Sequence, residues 1–203
     1  MIRLILSSIS CFMNKDELRK IYLAKRQALT ESEHRELSIK ISELFFHSSD
    51  LSEVKTLHIF LPILSKREPD TWFIIDRIRK DFPHIRLVIP RVSGDKMENI
   101  LFEGNYQLEN TKWGMTEPRA GVHVNPQEID MVLVPLLAFD KYGHRVGFGK
   151  GYYDKFLSAC KPTCKKVGIS FFEEEIILDV NPFDKALDQC ITPRDVIIFK
   201  RVR

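Results

Sequence analysis

Residues 139–154 read Phe-Asp-Lys-Tyr-Gly-His-Arg-Val-Gly-Phe-Gly-Lys-Gly-Tyr-Tyr-Asp, with four glycines, three cations and two acids. This make-up suits an anion site. Gly147, Gly149 and Gly151 let backbone N–H groups approach a phosphate without Cβ atoms in the way, while Arg145 and Lys150 bring positive charge to the same few residues. The spacing is not that of the better-known phosphate loops. Lys150 is followed by Gly151 and not by Ser or Thr, so there is no Walker A loop, and Tyr152 stands where the last glycine of GxGxxG would be. By composition alone, a solvated glycine-rich turn remains the alternative.

The flanking elements decide how such a loop could be used. Residues 131–139 form an almost unbroken apolar run between Asp130 and Asp140, read as a strand buried on both faces. Pro135 requires a bulge or a strand exit within it. Residues 152–161 carry apolar side chains at a spacing of three and four, which predicts a helix and places the glycines at its N-terminus, where unpaired N–H groups and the dipole favour an anion. Residues 56–61, 86–89, 167–171 and 196–199 also read as strands, with 99–103 as a peripheral one and 70–80 as a helix. Strand and helix alternation predicts an α/β fold of three layers around a mostly parallel sheet. Glu68, Arg91 and the glycine loop each follow a strand, so they converge on the carboxyl edge where such sheets bind ligands.

Asn14 with Glu17, and Thr30 with Glu33, predict capping boxes at the starts of two consecutive helices. Such a pair invites a helix-turn-helix reading and a metabolite-sensing regulator. The second helix is too acidic for it, with Glu31, Glu33, Glu36 and Glu43 against Arg35 and Lys40. A net charge of +3 over 203 residues gives no reason to expect a nucleic-acid or membrane partner. Cys11, Cys160, Cys164 and Cys190 lack metal spacing and are read as reduced thiols of a cytoplasmic protein. Residues 1–13 have one positive charge and a serine-interrupted apolar stretch, and are read as a non-native or disordered leader before a single domain spanning 14–203.

Beyond these readings, the segment Phe139-Asp140-Lys141-x-Gly143-x-Arg145-Val146-Gly147-x-Gly149-Lys150-Gly151-Tyr152-Tyr153-Asp154 resembles the signature of the 5-formyltetrahydrofolate cyclo-ligase family. The resemblance extends to Lys15-x-x-x-Arg19, Ile59-Phe60-Leu61 followed by Glu68, Ile89-Pro90-Arg91, Trp113-Gly114-Met115-x-Glu117-Pro118 and a late Asp188. It implies a fold of the NagB/RpiA/CoA-transferase type. It also implies ATP-driven conversion of 5-formyltetrahydrofolate to 5,10-methenyltetrahydrofolate, with ATP as co-substrate, Mg2+ as cofactor, small molecules as the only partners and a monomer.

The resemblance further implies roles. Lys15, Arg19, Arg145 and the loop Gly147, Phe148, Gly149, Lys150, Gly151, Tyr152 and Tyr153 would hold the nucleotide. Arg145, Lys150 and Tyr152 would act at the reacting centre. Leu61, Glu68, Trp113 and Tyr152 would contact the folate, with Phe139 a further wall candidate, although core packing explains Trp113 and Phe139 slightly better. Asp154 and Asp188 would hold the metal, with Asp184 and Asp179 near enough in sequence to replace Asp188. A paralogue acting on another metabolite, or a phosphosugar isomerase needing no ATP, would share the scaffold.

Overall fold

The computed structural model describes residues 14–111, 116–173 and 178–200; the expected leader lies outside them. α1 (Lys15–Gln27) and α2 (Glu31–Ser48) both begin on the anticipated capping boxes. Asn14 Oδ1 accepts the Asp16 and Glu17 N–H groups at 2.9 Å while Glu17 accepts the Asn14 N–H. Thr30 and Glu33 repeat the exchange. Each box satisfies donors that the helix itself leaves unpaired.

The chain continues through β1 (Thr56–His58), α3 (Trp72–Asp81), β2 (Arg86–Ser93), β3 (Lys96–Leu101), β4 (Leu108–Asn110), β5 (Thr116–Pro118) and β6 (Met131–Pro135). After β6 come β7 (Ala138–Phe139), β8 (Arg145–Val146), α4 (Tyr152–Ala159), β9 (Lys165–Ile169), β10 (Gln189–Ile191) and β11 (Val196–Ile198). Among the described residues, seven strands form one sheet in the order β11-β10-β9-β6-β1-β2-β3. The strands from β10 to β2 run parallel, and β11 and β3 close the edges antiparallel. From β1 the chain moves outward to β2, and from β6 it moves the other way to β9. The crevice beyond the carboxyl ends of β1 and β6 is therefore a topological switch point.

The period-2 alternation of the strands fills two layers. Leu57, Ile89, Leu133, Ile169 and Ile191 pack with Ile41 and Phe45 of α2 and Ile74, Ile75 and Ile78 of α3. Val88, Val132, Val134 and Cys190 pack with Phe156 and Leu157 of α4 on the other face. Each such side chain, fully buried, stabilises the fold by about 1.5–3 kcal/mol. A third cluster joins Leu18 and Tyr22 of α1 to Leu137, Ala138 and Val146, which brings α1 to the segment leaving β6. The expected three layers are thus present. No helix of the described residues is long and apolar enough to cross a membrane.

Several boundaries differ from the sequence reading: β1 ends at His58 and not at residue 61, β2 runs on to Ser93, and β9 spans Lys165–Ile169 in place of 167–171. The run 131–139 is two strands, because the chain leaves the sheet at Pro135 and β7 turns back antiparallel with β8, pairing Phe139 with Arg145. The peripheral strand is β3, six residues long and hairpinned to β2. β10 was not anticipated, since three residues are too few to display a period.

His58 is fully buried on the α4 face, beside Tyr153 and Phe156, and neither ring nitrogen has a hydrogen-bond partner among the described residues. Burial pushes its pKa down to about 3. The unfolded chain therefore takes up a proton below pH 6.5 that the folded chain refuses until about pH 3. Stability is complete above that upper value and declines as pH falls, by about 2 kcal/mol at about pH 5 for this group. A His58→Leu variant is expected to lose that part of the acid slope while its carboxylate contributions stay unchanged. Urea titrations of both proteins at about pH 7 and about pH 5 measure the difference, and equal slopes would refute the assignment.

Candidate functional site

The glycine loop does not leave the strand directly, because the β7–β8 hairpin intervenes and fixes where Arg145 points. Asp140 organises its turn. Fully buried, its Oδ1 accepts the N–H groups of Tyr142 and His144, and its Oδ2 meets His144 Nδ1 and accepts the Leu178 N–H. Gly143 has φ +84°, and a Cβ there would come within 2.9 Å of the Leu187 carbonyl oxygen and 2.8 Å of the Phe199 ring. Only glycine fits. Sequence reasoning assigned Asp140 no role, although an Asp three residues before a glycine is a turn signal.

Past the hairpin, residues 147–151 run against α1. Arg19 Nε–H donates to the Gly147 carbonyl at 2.8 Å, and the Arg19 guanidinium would lie 3.0 Å from a Cβ on Gly149, whose φ is +86°. Gly151, at φ +69°, is the N-cap of α4 and supplies no side-chain cap. The first N–H groups of α4 are thus left for an anion, beside the exposed Lys150. Lys15 pairs with Asp184 at the other end of the chain. Arg19 also pairs with Asp16 of its own helix, and Lys15, Arg19, Lys150 and the loop come together as one basic rim.

Below that rim lies an interlocked set of charges. Arg145 is buried; its Nη2 donates to Asp154 Oδ1 at 2.8 Å and its Nη1 to the Lys185 carbonyl. Asp154 Oδ1 also accepts the Lys185 N–H at 3.0 Å. The neighbouring Asp184 accepts from Asn181 N–H and from Lys15. Burial alone would raise the Asp184 carboxyl, but Lys15, the Asn181 N–H and Arg145 outweigh it and hold it below the usual carboxylate range.

Asp188, expected beside Asp154, is elsewhere. It accepts the Lys166 N–H at 2.8 Å and pairs with Lys166 Nζ at 2.7 Å, at the amino ends of β9 and β10, opposite the edge that carries the loop. Residues 184–188 carry the chain down the α4 face, so Asp184 takes the position that Asp188 was given. Asp184→Asn is accordingly expected to lower turnover at least about tenfold, whereas Asp188→Asn should leave it within about twofold. Steady-state rates of the two variants decide between the carboxylates, and the reverse ranking would restore Asp188.

Across the crevice, Leu61 and Glu68 follow β1, both buried. Tyr153 is half-buried with its hydroxyl unpartnered among the described residues, and its phenol is pushed well above its ordinary range by burial and then by Glu68. Tyr152 donates from its hydroxyl to the Gly94 carbonyl at 3.0 Å, tying α4 to the β2–β3 hairpin. Phe148 lies under Lys66, whose ammonium is 4.4 Å from the ring centroid. Phe139 is not a pocket wall: it is fully buried in the α4-side core, edge-on to Phe199 at 5.9 Å. Arg91 lies inside β2, bound to Glu98 and to the Arg119 carbonyl. Trp113 is outside the described residues.

The arrangement sets a basic, glycine-lined rim and two carboxylates, which suit a polyanion, beside Leu61 and the buried acid Glu68 that follow β1. A family model described as the 5-formyltetrahydrofolate cyclo-ligase family matches residues 12–193. A 5-formyltetrahydrofolate cyclo-ligase of Mycoplasma pneumoniae is 33% identical over 181 residues, covering 88% of this chain and 98% of that one. One from Mycoplasma genitalium is 30% identical over 184 residues, with the same coverage. The NMR structure of Aquifex aeolicus 5,10-methenyltetrahydrofolate synthetase superposes with a TM-score of 0.77 at 32% identity, over 94% of this chain and 95% of that one.

Proposed function

The chain belongs to the 5-formyltetrahydrofolate cyclo-ligase family, and on that premise we propose that it closes 5-formyltetrahydrofolate to 5,10-methenyltetrahydrofolate at the expense of ATP. The observation that supports this reading is that the glycine loop with Arg19 and the buried Glu68 follow the neighbouring strands β6 and β1 at the same switch point.

A formamide oxygen is a poor leaving group, so attack of N10 on the formyl carbon needs that oxygen activated. In the proposed sequence the formyl oxygen attacks the γ-phosphorus and ADP departs. N10 then bonds to the formyl carbon, the carbon–oxygen bond breaks with release of phosphate, and N10 loses its proton. The chain supplies no side-chain nucleophile in this scheme. Its task is to hold the two substrates in line and to stabilise the spread charge. Lys15, Arg19, Lys150 and the uncapped N–H groups of α4 meet the triphosphate, while Arg145 fixes Asp154 and the 184–185 backbone beneath it.

Magnesium suits the carboxylate pair. Among the described residues, Asp154 Oδ2 and Asp184 Oδ1 accept no hydrogen bond, whereas their partner oxygens are fully engaged, and a hard dication takes two such oxygens together with phosphate and water. When bound, it would neutralise charge on the transferred phosphoryl group. Leu61 and Glu68 would receive the pterin, with Tyr152 and Tyr153 between the half-sites.

Purified protein mixed with magnesium, ATP and 5-formyltetrahydrofolate should develop the methenyl chromophore. With heavy oxygen in the formyl group, the label should appear in the released phosphate. Label found in bulk water would defeat the phosphorylation step, and absence of the chromophore would defeat the reading itself.

A further inference from the structure

We propose that Arg26, which lies behind Glu68, is the positioning residue that keeps the Glu68 carboxyl group aimed at the donor edge of the folate's pterin. This rests on the reading that Glu68 faces the folate. Arg26 ends the stripe Leu18, Tyr22, Arg26 on the buried face of α1 and is 2% exposed; Glu68 is 3% exposed.

The geometry is that of a holder. Arg26 Nε–H donates to the Arg67 carbonyl at 3.0 Å. Arg67 sits in the left-handed region at φ 46°, closing the tight turn after Leu64–Lys66. His34 of α2 contacts the Glu68 carbonyl at 2.7 Å, and the Ile63 N–H donates to Glu68 Oε2 at 2.8 Å. The backbone and one carboxylate oxygen are therefore fixed from three sides.

The other oxygen, Oε1, is not. Arg26 Nη2 stands 3.9 Å from it, too far for a hydrogen bond, and is itself without one, as is the buried Tyr153 hydroxyl nearby. A carboxylate pinned by one oxygen, with a cation held back from the other, retains acceptor capacity for a ligand's N–H groups. A pterin presents adjacent N–H donors of that kind. Burial raises the Glu68 carboxyl and prevails over Arg26, the Ile63 N–H and Lys66, which limit the rise in that order. A neutral Glu68 would lose an acceptor and bring a competing donor. A simple staple between α1 and the loop would instead be expected to close the pair to hydrogen-bond distance.

The test compares Arg26→Met, Arg26→Lys, Glu68→Gln and the Met–Gln double variant. Each is assayed for turnover, for its folate and ATP Michaelis constants, and for melting temperature. Arg26→Met is expected to raise the folate Michaelis constant at least about tenfold and leave the ATP one within about twofold, while Arg26→Lys recovers most of the loss. On the Glu68→Gln background, Arg26→Met should add less than about twofold, since the carboxyl group it positions is gone. Equal rises in both Michaelis constants, or a full additional effect in the double variant, overturn the proposal. Should Arg26→Met not fold, the comparison of Arg26→Lys with the double variant, which buries no lone charge, still decides it. An unaltered folate Michaelis constant in Glu68→Gln overturns the folate reading of Glu68 and the proposal with it; a raised one with Arg26→Met silent overturns the proposal alone.

Discussion

Asp154→Asn is expected to reduce turnover at saturating substrates at least about a hundredfold while moving the melting temperature by no more than a few degrees. The separation follows from how the side chain is used. Oδ1 accepts from Arg145 and from the Lys185 N–H, and an asparagine carbonyl in the same place accepts both. What the substitution removes is Oδ2 and the negative charge, the part assigned to the metal. Rates measured over a magnesium titration, beside calorimetric melting, distinguish the outcomes. Near-normal magnesium-dependent turnover in a folded variant would mean that Asp154 serves only to anchor Arg145.

Arg145→Ala should damage both quantities. The side chain is 6% exposed and bridges Asp154 to the Lys185 carbonyl, so truncation leaves two acceptors without their donor and costs about 3 kcal/mol or more. Turnover of the fraction that remains folded should drop by about a hundredfold to a thousandfold, because Asp154 and the 184–185 segment are no longer held together beneath the basic rim. Arg145→Lys should rescue little, since one ammonium cannot reproduce a two-pronged donor at two fixed acceptors. A variant that melts earlier but turns over normally when cold would show Arg145 to be structural only.

Much of this fold was legible because its signals are local. Capping boxes at Asn14 and Thr30, an apolar run beginning at Met131 and a glycine loop before an amphipathic helix each declare themselves within a few residues. The demand that Pro135 end its strand was equally local. What escaped depends on contacts distant in sequence. Nothing around Asp188 indicates that Lys166 holds it at the far end of the sheet, nor around Asp184 that Lys15 reaches it. Phe139 looks the same in sequence whether it lines a pocket or meets Phe199 in the core. Arg26 was nearly visible: it lies four residues beyond Tyr22 on the buried stripe, but a cation at such a position reads as surface until its partner is seen.

The Lys15–Asp184 pair also has a meaning for how the protein is made. The two residues are separated by 169 positions, and Arg19 reaches the loop across 128. On the ribosome, Lys15 emerges long before Asp184 and cannot meet it until residue 184 has left the exit tunnel. Contacts spanning so much of the chain are also the slow ones to form. The basic rim is therefore among the last features to be completed, and an unfinished chain carries the loop without the closed site.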